Sequence, residues 1–412
     1  MKGRIVDLGR PLGLNNRLSA QRLGRRDDAG NPATYLSRAD NVDIDDAGVI
    51  RRRRGFEVAL PGDAHSLWAD EQGACVVLDG RLLALGADLS ARVLREGMPR
   101  LRLSYSRSAT GALVWSNSAA LRRVADGHDR ALAEAPPLSP SVAAQGAGGL
   151  PAGRYLACMT VQGPDGESAP SAVQVVDLPQ GGSVAFTAQA PAGRQLAAWL
   201  SGPNGDRLGL AGVSASGRFL ADAPAETGHE CPTMGLSPMP PGQLVAHFQG
   251  RLWVAAGNVL WYSQPWHEGL TDARGNYLLL PQRITLLRPA AGALFVAAGK
   301  TWRLDTAGGA LQEALPYGAV EGTDTPHPET GGALWFSPRG LIVADAQGVR
   351  AVQQEALTFE PAALGAALWR EADGVRAQVT SLSTGGASGA VPGSQAGAVA
   401  LMYAEVIKKG NP

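Results

Sequence analysis

Ala298-Gly299-Lys300-Thr301 has the ending of a phosphate-binding loop, whose lysine and hydroxyl would meet phosphate and magnesium. That loop also needs a glycine five positions before Gly299, and Leu294 stands there. Asp43, Asp45 and Asp46 offer oxygens for calcium. Ala47, Gly48 and Val49 supply no further ligand, and Arg54 occupies the place of the closing glutamate, so a hairpin turn is the better reading. The six histidines, His65, His128, His229, His247, His267 and His327, form no pair at metal-ligand spacing. No Gly-x-Ser-x-Gly elbow occurs. Cys75, Cys158 and Cys231 are too few and scattered for a disulfide framework or a zinc site, although Cys158 and Cys231 could meet inside one domain. No cofactor and no metal are expected, and no catalytic residue is assigned.

Two features point to surfaces instead. Arg51, Arg52, Arg53 and Arg54 follow a strand-like Val49-Ile50. In a strand successive side chains alternate, so two of the four share a face. They read as candidates for a subunit interface or a DNA-facing lumen, or as a solvated strand edge. Trp266 and His267 stand in a turn-rich stretch and could face a ligand. Five of the nine tryptophans, Trp253, Trp261, Trp266, Trp302 and Trp335, fall in the later part of the chain, where regularly spaced aromatics suggest packing between sheets.

The elements that would carry these residues announce themselves by repetition. Gly-x-Leu followed by a small apolar run occurs at Gly80, Gly111, Gly250, Gly292 and Gly332, with a weaker copy at Gly374. The last four glycines stand 42, 40 and 42 residues apart. That is the length of four short strands and their turns, one propeller blade. The gap of 139 residues between Gly111 and Gly250 exceeds one period by about 99, the size of one immunoglobulin- or fibronectin-III-like β-sandwich. Proline-rich linkers at Pro136-Pro137 and Pro240-Pro241 bound it. Gly80 and Gly111 are only 31 apart, which marks the first repeats as irregular. The expected fold is all-β: a β-propeller of about five to six blades with an inserted sandwich. Its parts are an N-terminal arm (1–37), first propeller part (38–137), insertion (138–238), second propeller part (239–385) and a C-terminal loop with a closing strand (386–412).

Composition agrees. The 53 glycines and 28 prolines in 412 residues favour turns over long helices. Thirty-seven acidic and 37 basic residues balance, which speaks against a dedicated nucleic-acid binder. Lysine occurs only at Lys2, Lys300, Lys408 and Lys409, so 33 of the 37 cations are arginine. Arginine makes planar, bidentate contacts that suit packed interfaces. No apolar run has the length of a signal peptide or a membrane span.

Three segments resemble virion proteins of short-tailed bacteriophages, of the tail nozzle and packaged-DNA stabilisation type. They are Arg38 to Phe56, Gly153-Arg154-Tyr155 through Ser171, and Pro241-Gly242 through Gly250-Arg251-Leu252-Trp253 to Pro265. The resemblance implies a structural, non-enzymatic protein at the distal tail, nozzle or hub. It implies a homo-oligomeric ring, a hexamer by preference, through which double-stranded DNA passes transiently. Tail adaptor and tail-tip or fibre proteins are the implied partners. The implied location is the virion tail, after synthesis in host cytoplasm. Two other readings stay open: a receptor- or glycan-binding tail protein using Trp266 and His267, and a propeller glycosidase with two facing carboxylates.

Overall fold

The computed structural model describes residues 9–40, 42–44, 49–52, 58–108, 110–189, 191–226, 228–265, 267–306, 309–352, 354–358, 361–372, 375–383 and 400–405. Among them the regular structure is β-strand, apart from one 3-10 turn at Ala20–Arg22. None of their helices is long and apolar enough to cross a membrane. The chain forms two compact units: residues up to Ser104 together with those from Leu280 onward, and Tyr105–Leu279.

Among the described residues six small antiparallel sheets follow one another along the chain, with an insertion after the second, and the strands named for each pair in order. Module 1 is Ala64–Asp70, Gly73–Leu78, Arg81–Leu85 and Ala91–Arg95, and module 2 is Ser104–Arg107, Leu113–Ser116, Leu121–Ala125 and His128–Ala131. Module 3 is Leu244–Phe248, Arg251–Ala256, Val259–Tyr262 and Tyr277–Leu279. Module 4 is Leu286–Ala290, Ala293–Ala298, Lys300–Leu304 and Gln312–Leu315. Module 5 is Thr325–His327, Gly332–Ser337, Gly340–Asp345 and Gly348–Ala351. Module 6 has three strands, Leu364–Ala372, Val375–Ser383 and Ala400–Glu405.

Turn chemistry explains the repeated glycine. Gln249-Gly250 and Ala291-Gly292 take φ of 51° and 69°, and 49° and 78°. Two consecutive left-handed residues make the two-residue turn whose twist matches that of a hairpin, and glycine is the residue that adopts it most easily. Asp79-Gly80 makes the same turn, with φ of 50° and 72°, but between the second and third strands of module 1. The counterpart of Gly111 in module 1 is therefore Gly73, 38 residues earlier. The apparent irregularity at Gly80 was one of phase.

Within each unit, modules 2 and 3, 4 and 5, and 5 and 6 stack through alternate residues of their second strands. In module 5, Trp335 faces one way and joins Leu286, Phe295 and Ala297 of module 4. Leu334 and Phe336 face the other way and join Leu382 and Trp369 of module 6. In the other unit, Val114 and Leu132 of module 2 and its flank pack on Val245, Leu252 and Val254 of module 3.

The insertion lies between modules 2 and 3. One of its sheets holds Leu138–Leu150, Gly182–Gln189 and Arg218–Ala221. The other holds Gly166–Glu167, Gly153–Gly163, Gln195–Ser201 and Leu208–Ser214, with Gln174–Leu178 also pairing Gly153–Gly163. Tyr155, Met159, Val161, Val184, Phe186 and Leu200 bury a common core between the two sheets. The Tyr155 hydroxyl donates to Pro151 O at 2.8 Å, fixing the start of its strand.

Residues of the N-terminal segment form a sheet, with Arg10–Leu14 parallel to Pro32–Leu36 and Gly24–Arg26 antiparallel to it. Asn16 then exchanges amide hydrogen bonds with Thr358, both at 2.7 Å. At the other end, Ala400–Glu405 pairs antiparallel with Val375–Ser383.

Candidate assembly surface

The arginine block begins on a hairpin in which Val42–Ile44 pairs with Ile50–Arg52. Asp43, opposite Arg51 in the register, turns its carboxylate to Arg370 of module 6, 3.0 Å away. Both side chains of that pair are largely buried, at 12% and 22% exposure. Asp43 thus anchors the hairpin on module 6. Val49, Ile50, Arg51 and Arg52 remain exposed beyond the anchor, and Leu368, two residues before Arg370 on the same face, is exposed too. Apolar and guanidinium groups side by side are typical of protein contact surfaces. Arg53 and Arg54 lie outside the described residues. Replacing Arg370 by alanine is expected to free the hairpin and speed tryptic cleavage after Arg51 and Arg52 by about tenfold, read by mass spectrometry of a digestion time course.

Arginine also answers the most buried carboxylates. Asp129 is held by Arg122 at 2.6 Å, Glu134 by Arg194 at 2.8 Å, Asp345 by Arg350 at 2.8 Å and Glu321 by Arg283 at 3.4 Å. Asp165 is held by Arg123. The hydrogen bonds from Arg350 keep the Asp345 carboxyl below its ordinary range. Fork-shaped guanidinium groups can satisfy a carboxylate inside a packed sheet, a task that suits arginine better than lysine. Two of these pairs, Arg123–Asp165 and Arg194–Glu134, fasten the insertion to module 2 and its flank. Among the described residues no group of three or more His, Cys, Asp or Glu side chains is placed to hold a metal ion.

A polar seam separates modules 5 and 6. Thr325 and His327 face it from module 5, on the same side as Leu334, and Trp369, Gln378 and Thr380 face it from module 6. The His327 and Trp369 rings lie 5.4 Å apart. Thr325 Oγ1, His327 Nδ1, Trp369 Nε1, Gln378 Oε1 and Thr380 Oγ1 are all buried without a protein hydrogen-bond partner. Burial pushes the His327 pKa down; Glu329 and Asp345 oppose the shift and Arg350 adds to it. The folded state therefore binds this proton less readily than the unfolded chain does. The stability due to neutral His327 is complete above the unfolded value, near pH 6.5, and is lost as the pH falls below it. Hydrogen exchange of Leu364–Ala372 and Val375–Ser383, corrected for intrinsic rates, is expected to be constant from pH 8 to 7 and to quicken from pH 6.5 to 5. His65 in module 1 shifts with the same sign, so His327→Gln isolates the seam by flattening this profile.

His267 is half-buried in a tight turn where its N–H donates to Gln264 O at 3.3 Å and its own carbonyl accepts from Leu270 at 3.0 Å. Trp266 lies outside the described residues. Gly299 turns the hairpin from Ala293–Ala298 to Lys300–Leu304, Lys300 Nζ meets Glu313 at 2.6 Å, and the Thr301 hydroxyl donates to Tyr317 O at 2.8 Å. These residues are engaged in holding module 4 together. Trp115, Trp253 and Trp335 are fully buried.

No protein-family model matches the chain, and no curated protein matches it. Among solved structures it is similar to dipeptidyl peptidase 4 of Porphyromonas gingivalis, at 10% identity over 79% of this chain and 43% of that one, TM-score 0.29. It is similar to BBS1N in complex with ARL6DN, at 12% identity over 76% and 86% of the two chains, TM-score 0.30. It is also similar to the extracellular domain of a one-component system from B. thetaiotaomicron, at 10% identity over 87% and 62%, TM-score 0.24. The chain spans less than half of the peptidase's length. Likeness this slight carries no argument about activity.

Proposed function

We propose that this chain is a structural, non-enzymatic component of a bacteriophage tail, a nozzle or hub at its distal end. In this reading the six modules are the blades of a propeller, and the insertion is an immunoglobulin- or fibronectin-III-like domain. Copies join in a ring, a hexamer by preference, that retains genomic DNA and lets it leave. The observation that carries the reading is the run of small antiparallel sheets interrupted once, after the second, by a two-sheet domain. The three segments that resemble tail nozzle proteins fall at the arginine hairpin, inside the insertion and across module 3.

The physical chemistry of a conduit supports it. Each phosphate neutralised by a protein adds salt-dependent affinity, so a passage must avoid a strongly basic lining. A chain with 37 acidic and 37 basic residues has no net basic excess. A ring is built from two different complementary patches repeated about an axis. The hairpin with Ile50, Arg51 and Arg52 is a candidate for one such patch or for the lumen. Tail adaptor and tip or fibre proteins are the partners of this role, and the virion tail is its location.

Electron microscopy of purified virions with subunit counting tests the proposal. Multiple copies around the tail axis are expected, and the isolated assembly should weigh a multiple of 42.6 kDa. Absence of the chain from the particle would end it.

A further inference from the structure

The five-stranded sheet of the insertion has two apolar faces. Tyr155, Ala157, Met159 and Val161 point into the main core. Cys158, from the opposite face, forms a second cluster with Ala197, Trp199, Leu208 and Cys231. Trp199 is directly across the strand pair from Cys158, and its ring N–H donates to Thr160 Oγ1 at 2.9 Å. Cys231 belongs to the return segment that leaves the insertion after Arg218–Ala221 and heads for module 3. Its N–H donates to Leu208 O at 3.1 Å and its sulfur lies 3.9 Å from Thr233 Oγ1. The two thiols, 73 positions apart in sequence, are brought into the same buried cluster. Both are free and buried in the structure.

We propose that Cys158 and Cys231 are a reversible disulfide site, closed by a small disulfide such as oxidised glutathione, which pins the return segment to the sandwich. The Cys231 thiolate attacks one sulfur of glutathione disulfide, the S–S bond breaks, and one glutathione leaves with the electron pair and takes up a proton. Cys158 then loses its proton and attacks the Cys231 sulfur, expelling the second glutathione. Two protein thiols are oxidised and one small disulfide is reduced to two thiols. The order follows from the surroundings. Cys231 is 7% exposed and Cys158 is fully buried. The neighbouring Cys158 thiol, with hydrogen bonding from Thr233, holds the Cys231 thiol below its ordinary value, whereas the nearby Cys231 and burial push Cys158 up. Cys231 is the attacking thiol and Cys158 the resolving one.

The test incubates the full chain with oxidised glutathione at pH 8, then denatures it, alkylates it and maps its peptides. The expected wild-type product joins the peptides of Cys158 and Cys231, leaves Cys75 alkylated, and reverts with dithiothreitol. Cys158→Ser should trap glutathione on Cys231, and Cys231→Ser should leave Cys158 unmodified. Nonspecific proteolysis of segment 222–236 should slow about tenfold in the oxidised form. Full alkylation of all three thiols in the wild type, a link through Cys75, or a mixed disulfide that never closes would each overturn the proposal. Should a serine variant fail to fold, the wild-type peptide map decides alone.

Discussion

Replacing Trp335 by alanine is expected to destabilise the chain by about 3–5 kcal/mol, read as a lower urea midpoint at unchanged slope. Trp335 is fully buried on the second strand of module 5, and its ring lies 5.6 Å from that of Phe295 in module 4. The indole fills the space between two sheets whose other contributions there are mostly small: Ala290, Ala293, Ala297, Ala333 and Ala344. Small neighbours cannot close over the void, so the cavity persists and adds its own cost to the lost transfer energy. Trp335→Phe should cost markedly less than the alanine change. It keeps a ring against Phe295 and removes an indole N–H that has no acceptor. The contrast with the other unit sharpens the test. Trp115 donates to Asp129 at 2.9 Å and Trp253 to Phe248 O at 3.1 Å, so phenylalanine at those sites leaves an acceptor unanswered. An alanine variant with an unshifted midpoint would contradict the stacking of modules 4 and 5.

Much of this architecture could be read along the chain because its causes are local. A two-residue hairpin turn demands a left-handed residue, so glycine recurs wherever that turn recurs. The period from Gly250 to Gly374 is the length of one module, and the weak copy at Gly374 does precede a second strand, Val375–Ser383. Gly80 misled because the same turn can join any two strands of a sheet. Only pairing reveals that it follows the second strand rather than precedes it. The long gap between Gly111 and Gly250 is where two further sheets share a core, since a face buried on one sheet needs a second sheet to cover it.

The candidate surface was less legible, because its partners are distant. Arg370 and Asp43 are 327 positions apart, and no local pattern links them. Asp43 looked like a turn or calcium residue, whereas it anchors a hairpin. Asp165, followed by Gly166, stands at a hairpin turn. Its carboxylate also has a partner 42 positions earlier. The one available signal was the preference for arginine over lysine, which pointed to packed interfaces and not to the ion pairs found within the fold.

Arg123→Ala is the second large effect expected, about 3 kcal/mol, because it strips the cation from a carboxylate that stays buried. Asp165 is only 6% exposed and Arg123 23%. The pair joins the strand Leu121–Ala125 of module 2 to the turn between Gly153–Gly163 and Gly166–Glu167 of the insertion. The loss should therefore fall on the docking of the insertion more than on its core. Exchange should quicken at 121–125 and 163–167 while Met159, Leu196 and Leu200, deep in the sandwich core, keep their protection. Asp165→Ala alone should also destabilise, since Arg123 would keep a largely buried charge. The double variant should recover part of the cost, because neither charge is then left without its partner. Strict additivity of the two single changes would mean that the pair does not act as a unit. Arg194–Glu134, the second pair across this junction, predicts that docking is weakened rather than abolished. Two directional ion pairs restrict the sliding of the insertion on module 2 more than a smooth apolar contact of the same size would. In the proposed tail ring, that restriction would keep the insertion in the same place in every copy.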